Sequence, residues 1–469
     1  MSANPSARFQ FIGHALRGDG PFRPVVSGQD TTSPQISGPT ALVRYPRESA
    51  EKFARRNVVA FHDGPLSRAC ARFVGYLSTR APSRQMPGDL FPRMADDVDG
   101  KGNAIDVFMG EFAVQAKARG SMLLLVDMPR ELPPTMGEQI SQRRLPFWTQ
   151  ILPESVTDYE LGDDGKFKHV EFTGTIEHEG ARTDCVWHFD RAAWRAEKAE
   201  NDRNGQRQVL AEGAHGLGEC PVLIFTEHGD FPAFGPFAAI ADLMRRMFNA
   251  DSELDEIIRS ATFPMLTIQV PDTTTPDQKS AIAKVAAETI GVQNLVIHSG
   301  STPAWIAPPD GPAKVCADRI AALRAQIDEV SLNVAAPNQR ESGLAMTMRF
   351  AAINAELSRF AGRMEDLERR AWDLSRRWLG MQAAPVIQWQ RDYQVADVAV
   401  ELQILQDMQA AGLPSEVIAE QQRRVVALQF GGLETSRADE IERAIEERTL
   451  AARTQRTEPN PQPNDGGSA

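Results

Sequence analysis

The sequence predicts a helix-rich protein of the α+β class, and three observations support this prediction. Between residues 146 and 226, apolar side chains alternate with a period of two, which is typical of an antiparallel sheet with one buried face. Apolar stripes at helical spacing mark three long segments: 236–263, 313–334 and 346–379. Shorter signals of both kinds lie in between, with strands expected at 265–270 and 294–297 and a helix at 276–289.

The third stripe is the longest. Its apolar residues recur at steps of three and four: Met346, Phe350, Ile353, Leu357, Phe360, Met364, Leu367, Ala371, Leu374 and Trp378. No proline lies between Pro337 and Pro385, so at about 1.5 Å per residue this helix can extend for roughly 50 Å. Average helices in globular proteins are much shorter. We therefore expect the three stripes to seat long helices against neighbouring molecules, as in the frame of an assembly, and not to enclose a substrate.

The composition is that of a globular protein with several domains. The chain has 469 residues, of which 42% are hydrophobic and 24% charged, enough for two to four domains. Its longest apolar run, Met122–Val126, is far short of the ~20 residues of a membrane helix, and the N-terminus lacks a signal-peptide pattern. The four cysteines are widely separated, so we expect buried thiols in a reducing compartment.

The charge balance argues against a protein that binds nucleic acid tightly. There are 51 Lys and Arg residues against 63 Asp and Glu, a net charge of −12. Tight binding of phosphates requires clustered basic residues. Any nucleic acid that meets this chain is therefore expected to be held loosely.

The N-terminal half is expected to combine helices with a buried strand. Residues 1–40 are rich in Gly, Pro, Ser and Thr, which predicts an extended or disordered arm. Helices are expected to begin near Glu48 and at Pro65, and Asn103 with Asp106 resembles a helix start of the capping kind. The apolar run Ser121–Asp127 predicts a buried strand, and 221–225 is expected to close the antiparallel sheet.

The C-terminal part is predicted to be a strand followed by an acidic helical region. The strand is expected at 386–393, and short helices at 396–411, 414–429 and 436–452. Residues 397–450 hold eleven acidic and five basic residues, which predicts a negative outer face. The remaining residues, 453–469, read as a disordered tail.

No sequence motif predicts catalysis, a cofactor or a metal. P-loop, nucleophile-elbow and dinucleotide-binding patterns do not occur. His169, His178 and His188 are interpreted as ordinary strand residues. The Asp-rich stretch 96–103 lacks the ligand spacing of a calcium loop and is interpreted as a turn. The acidic residues Glu154, Asp158 and Glu160 are interpreted as solvated, since nothing shows that they converge. The chain is therefore predicted not to be an enzyme.

The order of the predicted parts, together with several local motifs, resembles a known family. The motifs are Tyr45-Pro46-Arg47, Asp97-Val98-Asp99-Gly100, Gly120 leading into Leu125-Val126-Asp127-Met128-Pro129, Glu341-Ser342-Gly343-Leu344-Ala345, Arg391-Asp392-Tyr393 and Ala411-Gly412-Leu413-Pro414. Over roughly residues 41–452 the chain resembles the portal proteins of tailed bacteriophages and related gene transfer agents.

This resemblance implies a portal-like division of the chain. Residues 41–235 would form the wing, to which the long helix and return strand of 346–395 also belong. The stem helices would be 236–263 and 311–334, joined by a small αβ clip at 264–310. A tunnel loop at 335–345 and a helical crown at 396–452 would complete the fold, with the arm at 1–40 and the tail at 453–469.

The resemblance also implies a role and partners. Portal proteins form dodecameric rings at one capsid vertex of the virion, assembled in the host bacterial cytoplasm. Double-stranded DNA enters and leaves through the ring without sequence specificity. The implied partners are a terminase motor, a head-tail adaptor, the major capsid protein and scaffolding proteins, with no membrane.

Candidate contacts with DNA follow from this assignment. In the tunnel loop, the expected DNA-facing residues are Asn338, Gln339, Arg340, Glu341 and Ser342. In the stem, the expected channel-facing acids are Asp251, Glu253, Asp255 and Glu256, because an acidic wall repels phosphate and keeps a moving duplex centred. An ion pair of Arg340 with Glu341 or with a neighbouring subunit is the alternative for that residue.

Other function classes remain open at this point. The chain could be a helical scaffold or adaptor of another large assembly, or an enzyme whose site is built from scattered residues. A DNA-binding regulator is the weakest alternative, because the chain is acidic and has no recognisable reading helix.

Overall fold

A computed structural model describes most of the chain. The described ranges are 5–27, 35–46, 48–79, 81–131, 133–201, 206–262, 265–271, 273–290, 295–298, 304–306, 311–331, 343–393, 398–429, 440–447 and 449–450. Helices and sheets are both abundant, so the predicted α+β class is confirmed. The chain divides into two compact units, Met1–Tyr393 and Gln394–Ala469.

A three-stranded antiparallel sheet lies in the core of the first unit. Its middle strand is β4 (Ser121–Asp127), flanked by β5 (Phe147–Ile151) and β11 (Val222–Thr226). Every residue of β4 is buried, as its continuous apolar run predicts. The expectation that 221–225 closes the larger sheet is wrong. That segment pairs with β4, because a mostly buried apolar strand is best accommodated beside another buried strand.

The predicted meander is confirmed as a five-stranded antiparallel sheet in the order β10-β9-β8-β7-β6. Its strands are β6 (Val156–Leu161), β7 (Phe167–His178), β8 (Ala181–Asp190), β9 (Ala193–Asn201) and β10 (Arg207–Ala214). Alternate residues of one face, Val170 and Phe172 of β7 with Phe189 of β8, pack against Leu123 and Ile151 of the small sheet. The period of two therefore separates a core face from a solvent face.

The first unit also contains several shorter helices. They are α1 (Pro5–Arg17), α2 (Ala50–Val59), α3 (Pro65–Leu77), α4 (Leu90–Asp96), α5 (Ile105–Arg119) and α6 (Met136–Ser141). Of these, α5 packs on β4. Two short strand pairs complete this part: β1 (Val25–Ser27) with β2 (Gln35–Ser37), and β3 (Ser83–Gln85) with β15 (Val386–Gln388). The return strand predicted at 386–393 is therefore shorter than expected.

Two predictions about the N-terminal half are wrong. Residues 5–17 are not an extended arm but the helix α1, whose Phe9, Ile12 and Ala15 are buried. The apolar stripe of this helix is short, and the glycines and prolines around it dominate the composition from which the arm was predicted. Asn103 does not cap α5, because the N-cap position is Ala104 and the Asn103 amide instead donates to Asp99.

The three long helices are present, at slightly different bounds. They are α7 (Ala238–Thr262), α9 (Gly311–Val330) and α10 (Gly343–Trp378). Between α7 and α9 lie β12 (Met265–Gln269), α8 (Pro276–Ile290), β13 (Leu295–His298) and β14 (Ala304–Ile306). The strand β14, which pairs antiparallel with β12, was not expected. Its three residues are too few for a periodicity signal.

The apolar stripe of α10 packs inside its own chain. Leu357, Phe360, Met364, Leu367 and Leu374 are all buried in the core of the first unit. The expectation that this stripe seats the helix against neighbouring molecules is therefore wrong for the helix beyond Ile353. A stripe has the same spacing whether its partner is the same chain or another one.

The second unit contains α11 (Val398–Ala410), α12 (Ser415–Gln429) and further helical residues at 440–447. Its helices α11 and α12 pack on one another, and Arg423 forms an ion pair with Glu442 at 2.7 Å. Among its described residues only a few are buried: Ala419, Gln421, Val425 and Ile445. In the part of the chain that is described, no helix is long and apolar enough to span a bilayer.

Candidate assembly and channel surfaces

The helices α7 and α9 pack against one another and are together called the stem pair below. The first half of α7 is embedded in the core through residues such as Ile240, Met244 and Phe248. From residue 253 to residue 259 the same helix has no buried residue. Of the twenty residues of α9, three are buried, namely Ile320, Leu323 and Ile327. Most of α9 and the part of α7 from 253 to 259 are therefore left largely uncovered by the rest of the chain.

An apolar side chain lies on that uncovered surface. Val315 of α9 is 68% exposed. Single exposed apolar residues are common, but this one belongs to a helix that buries only one side chain in about seven. The outer face of α9 is thus available for contact with another molecule.

The four acids predicted to face a channel differ in their surroundings. Glu253 accepts a hydrogen bond from the Tyr45 hydroxyl. Glu256 forms ion pairs with Arg259 at 2.5 Å and with Lys52 at 3.5 Å. These contacts engage Glu253 and Glu256 within the chain, whereas Asp255 is exposed.

The fourth acid, Asp251, is half-buried beside α9. Burial raises the pKa of Asp251, and the nearby carboxylates of Asp255 and Asp63 raise it further while Arg324 opposes them. The stem pair thus carries a concentration of negative charge in which Arg324 is the compensating cation. Whether these acids face a channel stays a prediction.

The five residues predicted for the tunnel loop, Asn338, Gln339, Arg340, Glu341 and Ser342, lie outside the described residues. The helix that follows them, α10, begins at Gly343. Their assignment to DNA contact stays a prediction.

We call the part of the first unit outside the stem pair and the insert between its helices the body. Residues of the N-terminal region hold the first half of α7 against the body. The guanidinium of Arg8 donates to both carboxylate oxygens of Asp242, at 2.6 and 2.5 Å. The Asn249 amide donates to the carbonyl of Ala41 at 3.0 Å and accepts from the amide of Val43 at 2.8 Å. These contacts anchor α7 where it leaves the core. Sequence reasoning missed them because the partners are more than 200 residues apart.

A buried ion pair provides a second contact between α2 and α7. The guanidinium of Arg56 on α2 donates to Glu48 at 2.8 Å and to the hydroxyl of Ser252 on α7 at 3.1 Å. The side chains of Arg56 and Glu48 are almost completely buried. Because a buried charge without its partner is costly, this pair ties the start of α2 to the middle of α7.

A cluster of buried charges joins α5, the end of β11 and α10. The Lys117 ammonium donates to Glu227 at 2.5 Å and to Glu356 at 2.9 Å. The ammonium also lies 4.1 Å from the centre of the Phe73 ring and 4.5 Å from that of Phe237, which adds cation–π attraction. We call Lys117, Glu227 and Glu356 the buried triad.

Within the buried triad, the pKa of Glu227 is shifted from its ordinary value. The pKa of Glu227 is raised to about 7, chiefly because the carboxyl is buried; Lys117 opposes the rise and the neighbouring carboxyl of Glu356 adds to it. One oxygen of Glu227 is buried without a hydrogen-bond partner. Lys117 looks like an ordinary polar position of a helix in the sequence, so no local signal reveals this cluster.

The same region offers a set of possible metal ligands, since donor atoms of Glu227, His228 and Glu356 lie within 4.8 Å of one another. Lys117 already places a positive charge against both carboxylates, and Arg359 forms a further ion pair with Glu356. A divalent cation would have to displace or face these cations. The arrangement is therefore better suited to an ion-pair network than to a metal site.

The other polar residues considered from the sequence form ion pairs at the surface of the sheets. His188 lies 2.8 Å from Glu171 and 3.1 Å from Glu197. Asp158 and Glu160 share His169, at 3.3 and 3.8 Å, and Glu160 also pairs with Lys168. Glu154 pairs separately with Arg119. The Asp-rich stretch is a turn in which Asp97 and Asp99 accept from backbone amides.

Three of the four cysteines are buried thiols, as the sequence predicts. Cys70, Cys185 and Cys220 are buried, and Cys316 is half-buried. Burial raises the pKa of Cys70 and of Cys220 to about 12, so these thiols are poor nucleophiles at neutral pH.

A polar cleft of about 670 Å³ lies along the exposed side of α10. Its walls come from α10, from the turn after β6 and from the turn after β11. Its charged side chains are of both signs: Asp163, Asp230, Arg363, Asp366, Arg369 and Arg370. Basic and acidic residues are balanced, so the cleft does not favour a ligand of one charge.

Comparison with known proteins gives structural neighbours only. No protein-family model matches the sequence, and no curated protein matches it either. A chain of a structure described as the virion of a native gene transfer agent particle is 14% identical, with a TM-score of 0.44, and the match covers 86% of this chain and 95% of that one.

Two further neighbours come from necks of such particles. One is from an empty particle computed with C6 symmetry, at 14% identity and a TM-score of 0.44. The other is from a native particle computed with C12 symmetry, at 13% identity and a TM-score of 0.41. Each match covers 79% of this chain and 91% of the other. Values this low establish neither a shared function nor a shared fold.

Proposed function

We propose that this chain is a portal protein of a tailed phage or gene transfer agent. In this role, twelve copies form a ring at one vertex of the capsid. Double-stranded DNA passes through the ring during packaging and ejection. The ring is also the docking platform for a terminase motor and for head-tail connector proteins, and the protein has a structural rather than a catalytic task.

The stem pair is the observation that carries this proposal. Its two helices are fixed to a well-packed body at one end and joined by the compact insert β12–β14 at the other. Most of α9 and the part of α7 from 253 to 259 are uncovered. Exposed helices of this length gain little stability alone, because most helical stability comes from packing of the apolar face. Neighbouring copies around a ring would supply that packing.

The charges of the stem pair agree with a channel for DNA. Helix α7 carries five acidic and three basic residues, and α9 carries three of each. A duplex that must slide cannot be held by many phosphate contacts, because each adds affinity with a steep salt dependence. In this proposal Asp255 and Asp251 contribute to the acidic wall. Arg340, with Gln339, contacts the duplex from the tunnel loop.

The same proposal assigns the other parts of the chain to the wing, the clip and the crown. The body, with its sheets and α10, is the wing, and the insert between α7 and α9 is the clip. The acidic helical region at 396–452 is the crown. The assembly would take place in the host cytoplasm with the major capsid and scaffolding proteins, and the finished ring would reside in the virion.

Oligomeric state and ring geometry test the proposal. The purified protein is expected to give large oligomers in mass photometry and rings with an open axis in negative-stain images. The substitution Val315→Glu should abolish rings while leaving the far-ultraviolet circular dichroism unchanged. Val107→Glu is the matched control, because Val107 is also an exposed valine on a helix (α5).

Two outcomes would overturn parts of the proposal. A protein that remains monomeric at all concentrations and salts would exclude the ring, and compact oligomers without an axial opening would favour a scaffold or adaptor. The tunnel-loop role is tested by the double change Gln339→Ala and Arg340→Ala in assembled particles. Particles that retain a normal amount of genome would remove this loop from the mechanism.

A further inference from the structure

The turn between β11 and α7, residues 227–235, is attached to the junction of α5 and β4. The amide of Glu227 donates to the carbonyl of Gly120 at 2.8 Å, and the amide of Gly235 donates to the carbonyl of Arg119 at 3.1 Å. The two glycines are in direct contact, since a Cβ on Gly120 would overlap the backbone of Gly235. The turn leads directly into α7, so we call residues 227–235 the root of α7.

Helix α10 is joined to the root of α7 through the buried triad. The Lys117 ammonium lies 2.5 Å from Glu227 and 2.9 Å from Glu356. The side chain of Glu227 is 1% exposed, whereas that of Glu356 is 14% exposed and also pairs with Arg359, which is half-exposed on α10. Glu227 is therefore the fixed carboxyl of the triad, and Glu356 is the carboxyl with a second partner nearer to solvent.

One oxygen of Glu227 is in an unfavourable position for an ionised carboxylate. Its Oε1 accepts from Lys117, but its Oε2 is buried without a hydrogen-bond partner. Carboxylate oxygens of Glu227 and Glu356 lie within 4.8 Å of one another. Ionised carboxylates only accept hydrogen bonds, and two of them at one buried site repel. A proton on Glu227 removes one negative charge and turns an acceptor into a donor.

The other titratable groups around the triad do not share this position. Burial raises the pKa of the Cys70 thiol on α3 to about 12 and lowers that of His228, which lies in the root of α7. Despite burial, Lys117 lowers the pKa of Glu356, whereas burial raises that of Glu227 to about 7. The charge change near neutral pH therefore belongs to Glu227. The cations that face this group of side chains are Lys117, Arg119, Arg359 and Arg363.

We propose that the buried triad is a proton-dependent clamp between α10 and the root of α7. With a proton on Glu227, this carboxyl donates to Glu356, and Lys117 pairs with both side chains. When the proton passes to solvent, two carboxylates compete for one ammonium. Lys117 then stays with the fully buried Glu227, Glu356 turns towards Arg359, and the turns of α10 around Glu356 loosen.

The clamp is a property of one chain and does not require a ring. Its consequence for the channel rests on the proposed function, in which α7 belongs to the stem and α10 follows the tunnel loop. In that setting, the proton on Glu227 would determine how firmly the helix behind the tunnel loop is held to the stem.

Hydrogen exchange of the full-length chain at pH 6 and pH 8 tests the clamp. Exchange times are scaled for the intrinsic pH dependence of amide exchange, and EDTA is present. After this scaling, peptides that cover 353–360 are expected to exchange roughly tenfold faster at pH 8, because local opening lowers protection. Amides of β4 should stay protected at both pH values, since every residue of that strand is buried.

Two variants should remove the increase in exchange. In Glu227→Gln, the side-chain amide donates to Glu356 at both pH values. In Glu356→Gln, the amide donates to Glu227, so the two side chains no longer repel. Either variant is sufficient if the other fails to fold, as judged by circular dichroism.

Two matched controls should retain the increase. His228→Gln removes the neighbouring imidazole without changing the triad. Asp366→Asn makes the same acid-to-amide change on α10 at a side chain that is 61% exposed.

Infrared difference spectra report the proton itself. A protonated carboxyl absorbs separately from a carboxylate, so the spectrum at pH 6 minus that at pH 8 should contain a carboxyl band that is lost in Glu227→Gln and kept in Asp366→Asn. A triad with a purely structural role would give no such band.

The outcomes separate the clamp from the proposed function. The clamp is overturned by equal increases in Glu227→Gln and the unmodified protein, by no increase at 353–360, or by an equal increase in β4, which would mean that the whole unit opens. None of these results affects the portal proposal, which ring images test separately. A chain that forms no rings but shows the localised increase retains the clamp and excludes the portal.

Discussion

The body and the stem pair use similar apolar stripes in opposite ways. In the body, α10 buries a side chain on nearly every turn between Ile353 and Leu374. In the stem pair, α9 buries three residues of twenty, and α7 has no buried residue from 253 to 259. The first pattern holds a chain together, and the second leaves a surface for other molecules. The difference shows that a stripe identifies a helix but not its partner.

The charged residues differ between the two regions in the same way. In the body, Lys117 is fully buried and neutralises Glu227 and Glu356. In the stem pair, Lys314 and Asp255 are exposed to solvent. We therefore expect charges in the body to contribute to the free energy of folding. Charges of the stem pair should instead affect DNA that passes through the ring or molecules that bind to it. Three measurements on the monomer, each pairing the two regions, test this comparison.

The largest effect is expected for the change Lys117→Met. It removes the cation from between two buried carboxylates, and breaking a buried ion pair costs about 3–5 kcal/mol. The urea midpoint at pH 7.5 and low protein concentration should fall accordingly. The matched change Lys314→Met in the stem pair should alter the free energy of unfolding by no more than about 0.5 kcal/mol. Equal effects of the two changes would contradict the comparison.

A slightly smaller effect is expected for loss of one apolar contact in the body. Leu367 is completely buried, and Leu→Ala changes in cores cost about 2–5 kcal/mol. Val315→Ala in the stem pair should cost the monomer no more than about 0.5 kcal/mol. Tryptophan fluorescence during urea unfolding reports both, because Trp148 and Trp372 lie in this core with ring centres 4.9 Å apart. A large loss from Val315→Ala would show that α9 is packed within its own chain.

Much of the fold follows from local patterns in the sequence. The stripe of α10, the alternation of β6–β10 and the continuous apolar run of β4 each specify an element together with its buried face. Pro65 opens α3, as expected from proline in the first helical turn. These features are local, so a single sequence is sufficient to read them.

The remaining features depend on contacts that are distant in sequence. Helix α1 is held by tertiary packing rather than by its own weak pattern, because its Phe9 and Ile12 are buried and its Arg8 pairs with Asp242 of α7. The buried triad unites residues 117, 227 and 356, and no spacing rule links them. The assignment of 221–225 to the meander failed for a similar reason, because which strand pairs with β4 is decided by tertiary packing.

The smallest of the three effects concerns pH. The pKa of Glu227 is raised from its ordinary value of 4.5 to about 7 by burial, so the folded state holds this proton more tightly than the unfolded state does. The stabilisation is present below pH 4.5 and is lost as the pH rises towards 7. At 1.36 kcal/mol per pKa unit, the difference between 4.5 and about 7 corresponds to a loss of about 3 kcal/mol.

The change Glu227→Gln should remove this loss, because glutamine keeps the shape of the protonated side chain and does not titrate. Free energies of unfolding between pH 5 and pH 8 are expected to decline less in the variant than in the unmodified protein, by about 2–3 kcal/mol. The stem-pair control, Asp255→Asn, should leave the decline unchanged, since Asp255 is exposed. If Glu227→Gln and the unmodified protein show the same decline, the titrating group lies elsewhere, and the body would not differ from the stem pair in how it holds its charges.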